Sequence, residues 1–292
     1  MPTALRVREV GPRDGLQPEA PLGVRERLDL IRALAGAGLH DIEAVAFVSP
    51  RAVPAMADAA EVVAGLPGGG VTWWALVPNV KGAALAAAAG VDHLTVTVSV
   101  SETYSMRNVG MTTAESMEAA LTIAAAAPTV DVVLSCAFGS PYEGEIAPHA
   151  VARLAERCRE AGASVTLADT TGVATPRRIS DVLDLVGEQV GLHLHDTRGT
   201  ALVNAYAAME RGVSRFDTAV GGLGGSPFAA GAGGNLATED LVHLCDDLGV
   251  TTGVDLDALL DASALVARLV GRAVPSRVAA AGPRSRLAGS DG

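Results

Sequence analysis

Val190-Gly191-Leu192-His193-Leu194-His195-Asp196 leads through a short turn into Ala201–Arg211, and that stretch stops at Gly212. The first run has the length and residue types of a strand. The second is alanine-rich and of helical length, and the glycine suits a left-handed helix end. The same unit recurs along the chain. Strands are expected near Leu5–Val10, Asp41–Phe47, Val71–Val77, His93–Ser99, Val130–Phe138, Ser164–Asp169, Val190–Asp196 and Arg215–Val220. Helical patterns between them include Val24–Ala37, Ala52–Ala64, Thr113–Ala125, Pro148–Ala161, Arg177–Val186 and Thr238–Leu248. Gly38, Gly90, Gly162 and Gly249 repeat the stopping role of Gly212. Such alternation builds a parallel sheet. Eight strand–helix units in about 250 residues predict a closed (β/α)8 TIM barrel, and no Gly-x-Gly-x-x-Gly follows the first strand to favour an open sheet. One barrel with its C-terminal helices is expected over 1–275, and residues 276–292, with little periodicity, are expected to be a disordered tail.

The 292 residues are 49% apolar and 19% charged, enough for a large core without disulfides. A net charge of -11 argues against a nucleic-acid partner. Cys136, Cys158 and Cys245 form no Cys-x-x-Cys pair, which fits a reducing compartment with the thiols as small core residues. The N-terminus shows no signal-peptide pattern, and apolar runs such as Ala83–Ala89 are too short to cross a bilayer. A cytoplasmic protein with no membrane partner is expected. Basic residues are almost all arginine; Lys81 is the single lysine.

Barrel active sites form where the strands end, and the unusual polar residues fall there. Arg13 and Asp14 follow the first expected strand, Glu43 lies in the second, and Asn79 and Lys81 follow the third. Ser135 and Cys136 lie near the end of the fifth, Asp169 ends the sixth, and His193 and His195 end the seventh. Two histidines two residues apart on a strand point to one face and can share an ion. An isolated His-x-His is more often a packed strand pair; the clustering of polar residues at one rim favours a site. Asp14, His193, His195 and Asn235 are the expected ligands. One carboxylate, two imidazoles and an amide oxygen suit octahedral Mg2+ or Mn2+ better than four-coordinate zinc. Arg13 is the expected electrophile for an oxyanion, with Glu43 or Asp169 as its ion-pair partner. Glu43 and Asp169 are expected to orient Arg13 or the histidines, and Asp196 to support the site or cap a helix. The glycine-rich Gly221–Asn235 loop, with Ser226 in its middle, reads as a lid that closes over substrate, the alternative being a phosphate cradle.

Glu9-Val10-Gly11-Pro12-Arg13-Asp14-Gly15-Leu16-Gln17 resembles the opening signature of the 3-hydroxy-3-methylglutaryl-CoA (HMG-CoA) lyase family. The likeness continues in Ile42-Glu43-Ala44, Phe47-Val48-Ser49-Pro50 and Pro78-Asn79-Val80-Lys81-Gly82. It resumes in Pro141-Tyr142-Glu143-Gly144, Asp169-Thr170-Thr171-Gly172-Val173 and His193-Leu194-His195-Asp196-Thr197, and ends in Gly233-Gly234-Asn235-Leu236-Ala237-Thr238-Glu239-Asp240. The resemblance implies a divalent metal held by Asp14, His193, His195 and Asn235, an enolate stabilised by Arg13, and a site shaped by Glu43 and Asp169. It implies an acyl-CoA substrate cleaved to acetyl-CoA and acetoacetate, with His193 as the base and Gln17, Asn79 and Lys81 as substrate contacts. A homodimer or higher homo-oligomer is the family expectation. Two positions depart from the pattern. Ser226 stands in Gly224-Gly225-Ser226-Pro227 where the lyases carry a catalytic cysteine, and Ser140 stands where many relatives have cysteine. A serine hydroxyl is a far weaker acid than a thiol, so Ser226 is expected to order a water for the last protonation, and Ser226→Cys to raise turnover. The alternatives are a related lyase or aldolase on another 3-hydroxyacyl-CoA or hydroxy acid, a condensing synthase, a Schiff-base aldolase, and a metal-binding homologue without activity. The Schiff-base route needs a lysine inside the barrel, and Lys81 reads as loop.

Overall fold

The computed structural model describes residues 1–225 and 233–288. Eight strands run in the order β1 (Arg6–Glu9), β2 (Asp41–Ala46), β3 (Thr72–Leu76), β4 (His93–Ser99), β5 (Thr129–Ser135), β6 (Ser164–Asp169), β7 (Gly191–Leu194) and β8 (Arg215–Thr218). Each pairs in parallel with the next, and β8 closes on β1, so the sheet is a barrel. The helices are α1 (Val24–Gly36), α2 (Ala59–Ala64), α3 (Val80–Ala88), α4 (Glu102–Val109), α5 (Thr113–Ala126), α6 (Pro148–Glu160), α7 (Pro176–Val186), α8 (Ala201–Glu210), α9 (Thr238–Leu248), α10 (Leu256–Val270) and α11 (Arg277–Ala281). The TIM-barrel expectation holds. No helix among the described residues is long and apolar enough to cross a membrane.

Local sequence explains the element ends. Thr112 and Glu115 form a capping box at the start of α5. Gly249 and Gly271 close α9 and α10 in the left-handed conformation, with φ 70° and 69°. The stretch expected as one helix from Ala52 to Ala64 is instead a tight turn at Pro54–Met56 followed by α2. Asp58, at φ 58°, interrupts it. The segment after β3 is helical from Val80, so Lys81 lies exposed in the first turn of α3 and not in a loop. The tail expectation is corrected over Ser276–Ala288, which takes helical turns. Asp240 accepts from the Ser276 hydroxyl at 2.9 Å and from the Val278 amide at 2.9 Å, and this anchors α11.

The two faces of the sheet differ. Outward residues such as Leu94, Val96 and Val98 of β4 pack against the helices, with Leu30, Ile31 and Leu34 of α1 and Val151 and Ala155 of α6 fully buried. The inward positions carry charge. Arg8 of β1 donates across the barrel to Asp131 of β5 at 2.8 Å and to Asp217 of β8 at 2.8 and 2.9 Å. Asp131 also accepts from Thr166 and Ser164 at 2.7 Å, and the Arg8 guanidinium lies 4.9 Å from the Trp74 ring centroid. Branched apolar side chains usually fill this space in a TIM barrel.

Candidate metal centre and active site

After β1 the chain makes one wide helical turn at Gly11–Gly15, with the Leu16 amide donating to the Gly11 carbonyl at 2.9 Å. Such π-turns tend to occur at functional sites, and this one carries Arg13 and Asp14. It is tied down from outside the barrel. Glu9 accepts from the Gly11 amide at 2.7 Å, from the Val220 amide at 2.9 Å and from the Thr238 hydroxyl at 2.5 Å. A Cβ on Gly11 would lie 2.4 Å from that carboxylate, so the close approach requires glycine.

His193 is the third residue of β7 and His195 follows the strand's last residue. Their Nε2 atoms are 3.2 Å apart, and the Asp14 Oδ2 lies 3.8 Å from the His193 Nε2. Asp14, His193 and His195 each offer a ligand atom within 4.8 Å of the others. Asn235 joins them because its backbone bridges to His195 and its amide donates to the Leu223 carbonyl at 3.1 Å. The Asn235 Nδ2 donates to the Asp14 Oδ2 at 2.8 Å, while its Oδ1 is buried with no partner among the described residues. A Cβ on Gly224, at φ 103°, would lie 2.5 Å from that Nδ2, so the chain passes the cluster as closely as a backbone can.

This donor set fits a hard divalent cation. It offers a carboxylate oxygen, two imidazole nitrogens and an otherwise orphaned amide oxygen. Charge at the cluster is uneven. Burial works against the Asp14 carboxylate, yet Arg13 and the two imidazoles hold it down to about 2. Burial and its neighbour His193 push His195 down to about 4, which leaves it a neutral ligand. Burial also disfavours the imidazolium of His193, but Asp217 and Asp14 outweigh it and raise this pKa. The His193 Nδ1 sits 3.3 Å from the Asp217 Oδ2. Only Nε2 then faces the cluster, and one nitrogen cannot hold a cation and accept a proton together. The ligand and base roles expected of His193 are therefore alternatives, and the geometry favours ligation.

Arg13 is buried beside the cluster. Its Nε donates to Glu43, and its Nη1 donates to the Asp14 Oδ1 at 2.5 Å. The other Glu43 oxygen accepts from Thr95. The expected Arg13–Glu43 pair is present. Asp169 belongs elsewhere: it accepts from the Val173 and Ala174 amides at 2.9 and 3.1 Å and shapes the turn after β6. It alternates with the inward Thr166 and Ala168, so it points out of the barrel. Burial raises its pKa to about 6. Asp196 caps α8 by accepting from the Ala201 amide at 3.0 Å.

The expected substrate contacts are dispersed. Gln17 is half-buried beyond the first turn, and Lys81 is exposed. Asn79 is exposed and uses its side-chain oxygen to accept from the Gly82 amide at 3.0 Å, as a helix cap. Ser140 lies 2.9 Å from Ser101 and helps to hold Glu143, joining the loops after β4 and β5. Ser226 and the middle of the lid expectation lie outside the described residues. Burial pushes the thiols of Cys136, Cys158 and Cys245 up to about 12, 11 and 12. Sequence reasoning missed Asp217, Arg8 and Asp131. The available signal was their in-phase placement on strands, where a charge at an inward position has no bland role.

The family model described as HMGL-like matches residues 4–266. A hydroxymethylglutaryl-CoA lyase from Pseudomonas mevalonii is 43% identical over 94% of this chain and 95% of its own length. An (R)-citramalyl-CoA lyase from Chloroflexus aurantiacus is 41% identical over 96% of this chain and 95% of its own. A solved HMG-CoA lyase from Acinetobacter baumannii, in complex with coenzyme A and 3-methylmalate, superposes with a TM-score of 0.91 at 42% identity, covering 97% of this chain and 96% of that one.

Proposed function

The chain belongs to the HMGL-like family, and from that membership we propose that it cleaves HMG-CoA to acetyl-CoA and acetoacetate with a divalent cation, Mg2+ or Mn2+, as cofactor. It is a carbon–carbon lyase, as its relatives are. The observation that carries the reading is the convergence of Asp14, His193 and His195 within 4.8 Å at the mouth of the barrel, beside a buried arginine. A cation bound there supplies Lewis acidity and lowers the pKa of a substrate hydroxyl.

The chain's own groups do the rest. Asp14 and His195 are ionised and neutral respectively at neutral pH, which is the state in which each donates an electron pair. Arg13 is held at Nε by Glu43 and at Nη1 by Asp14, leaving Nη2 without a partner among the described residues. Transfer of the tertiary hydroxyl's proton to a water molecule at the site lets the adjacent carbon–carbon bond break to the ketone and the thioester enolate. Arg13 Nη2 donates to the enolate oxygen as charge develops. The enolate carbon then takes a proton, so protons balance over the cycle. Burial of the cluster keeps bulk water from competing for the arginine.

A second reading has its own support. The citramalyl-CoA lyase is about as similar to this chain as the HMG-CoA lyases are, so the acyl group could be a different 3-hydroxyacyl chain. A panel of HMG-CoA, a longer 3-alkyl homologue and citramalyl-CoA separates the readings. It is assayed by acetyl-CoA release after chelation and re-addition of Mg2+ or Mn2+. HMG-CoA as the substrate with the highest kcat/KM supports the first, and preference for another member replaces it. Metal-independent release from every substrate contradicts both.

A further inference from the structure

His193, Asp217 and Arg8 occupy one row across three neighbouring strands. His193 of β7 is in register with Asp217 of β8, and Asp217 is in register with Arg8 of β1. Their side chains share the inner face. Arg8 grips both oxygens of Asp217, Nε to Oδ1 at 2.8 Å and Nη2 to Oδ2 at 2.9 Å. The Oδ2 so fixed lies 3.3 Å from the His193 Nδ1. All three residues are buried, with Arg8 4%, Asp217 2% and His193 7% exposed. A bidentate fork is the most orientation-specific contact available to a carboxylate. Neither Arg8 nor Asp217 belongs to the Asp14–His193–His195 cluster.

We propose that Arg8 and Asp217 are positioning residues for the metal centre: Arg8 fixes the Asp217 carboxylate, and Asp217 holds His193 in the tautomer and ring orientation that present Nε2 to the cation. The inference rests on the metal-site reading above. The imidazole has two nitrogens, and the partner of one decides what the other can do. With Nδ1–H donating to Asp217, Nε2 carries a lone pair aimed at Asp14 and His195. Without that partner the ring can flip or take the other tautomer, and the cluster loses one of its donors. His195 has no such carboxylate, so the burden of pre-orientation falls on His193. Carboxylates behind metal-binding histidines typically matter tenfold to a hundredfold in affinity.

The test is Mn2+ affinity by calorimetry on the chelated full-length protein. Asp217→Asn is expected to weaken Mn2+ binding at least tenfold with the far-UV circular dichroism unchanged. Asp131→Asn disturbs the same ionic layer without touching an imidazole, and is expected to change the affinity less than threefold. Equal losses in the two variants would assign the effect to loosened packing and overturn the proposal, as would wild-type affinity in a folded Asp217→Asn. Should Asp217→Asn not fold, Arg8→Met with Asp217→Asn removes both charges together and is read in the same way. The unaltered protein gives an independent check. At pH 9, 15N imidazole shifts are expected to show the Nδ1–H tautomer for His193 in the metal-free protein, and the Nε2–H tautomer contradicts the proposal. Failure of the wild type to bind Mn2+ at all would instead remove the metal reading itself.

Discussion

The barrel's two faces solve different problems with the same eight strands. Outward positions are aliphatic and meet the helices in a shell typified by Leu34, Val96, Val151 and Leu241, each at most 2% exposed. Inward positions hold Arg8, Glu43, Asp131 and Asp217, which are just as buried but charged. Removing apolar area from water stabilises without regard to direction. A buried ion pair contributes little net stability, because desolvation offsets attraction. It does fix direction. The shell therefore keeps the barrel closed, and the interior aims Arg13 and His193.

Substitutions on the two faces should accordingly separate activity from stability. The largest effect is expected at the mouth. Arg13→Gln should lower kcat by about a thousandfold, the upper range for loss of an oxyanion donor. Mn2+ affinity measured by calorimetry should stay within a fewfold of the wild type. A drop in kcat below tenfold would mean that another group meets the enolate. In the shell, Leu34→Ala should cost about 3 kcal/mol of stability in urea unfolding. Its kcat below the transition should be close to the wild type's. A large loss of kcat in the folded variant would show that the two faces are coupled.

Glu9, like Asp169, departs from the aliphatic outer face and sharpens the contrast, a buried carboxyl on the outer face of β1. Burial raises it to about 8, against the pull of three hydrogen-bond donors. Thr238 has one hydroxyl proton and two acceptors in reach, Glu9 at 2.5 Å and Thr218 at 2.8 Å. The unfolded chain releases the Glu9 proton near the ordinary glutamate value, and the folded one near 8. The contribution to stability is thus fully present below the unfolded pKa and is lost as pH rises through about 8. The melting temperature of the wild type relative to Glu9→Gln should fall by a few degrees between about pH 5 and pH 8. A constant difference across that range would mean that Glu9 is ionised in the folded protein throughout.

Much of this architecture is legible before any coordinates. The strand–helix period needs only local pattern, and glycines such as Gly162 and Gly212 mark helix ends because their left-handed backbone, φ 79° and 101°, disfavours other residues. Asp14, His193, His195 and Asn235 could be grouped because strand ends share one rim. What escaped was phase. Asp169 and Asp217 are both strand aspartates, but one points outward to the Val173 and Ala174 amides and the other inward to Arg8 and His193. A single residue of register decides between them, and local sequence pattern places strand ends less sharply than that. Expected β5 ran to Phe138, whereas the strand ends at Ser135 and Cys136 turns left-handed at φ 58°. The helical turns at Ser276–Ala288 were hidden for another reason. Their anchor is the distant Asp240, which no local pattern reveals.

The central claim is that two imidazoles, one carboxylate and one amide oxygen from three separate parts of the chain hold a single hard cation. Pulsed electron paramagnetic resonance on the Mn2+-loaded protein counts the nitrogens bound to the ion. The geometry predicts two coordinated imidazole nitrogens in the unaltered chain and one in His195→Ala. One nitrogen or none in the unaltered chain, or two in the variant, would contradict it.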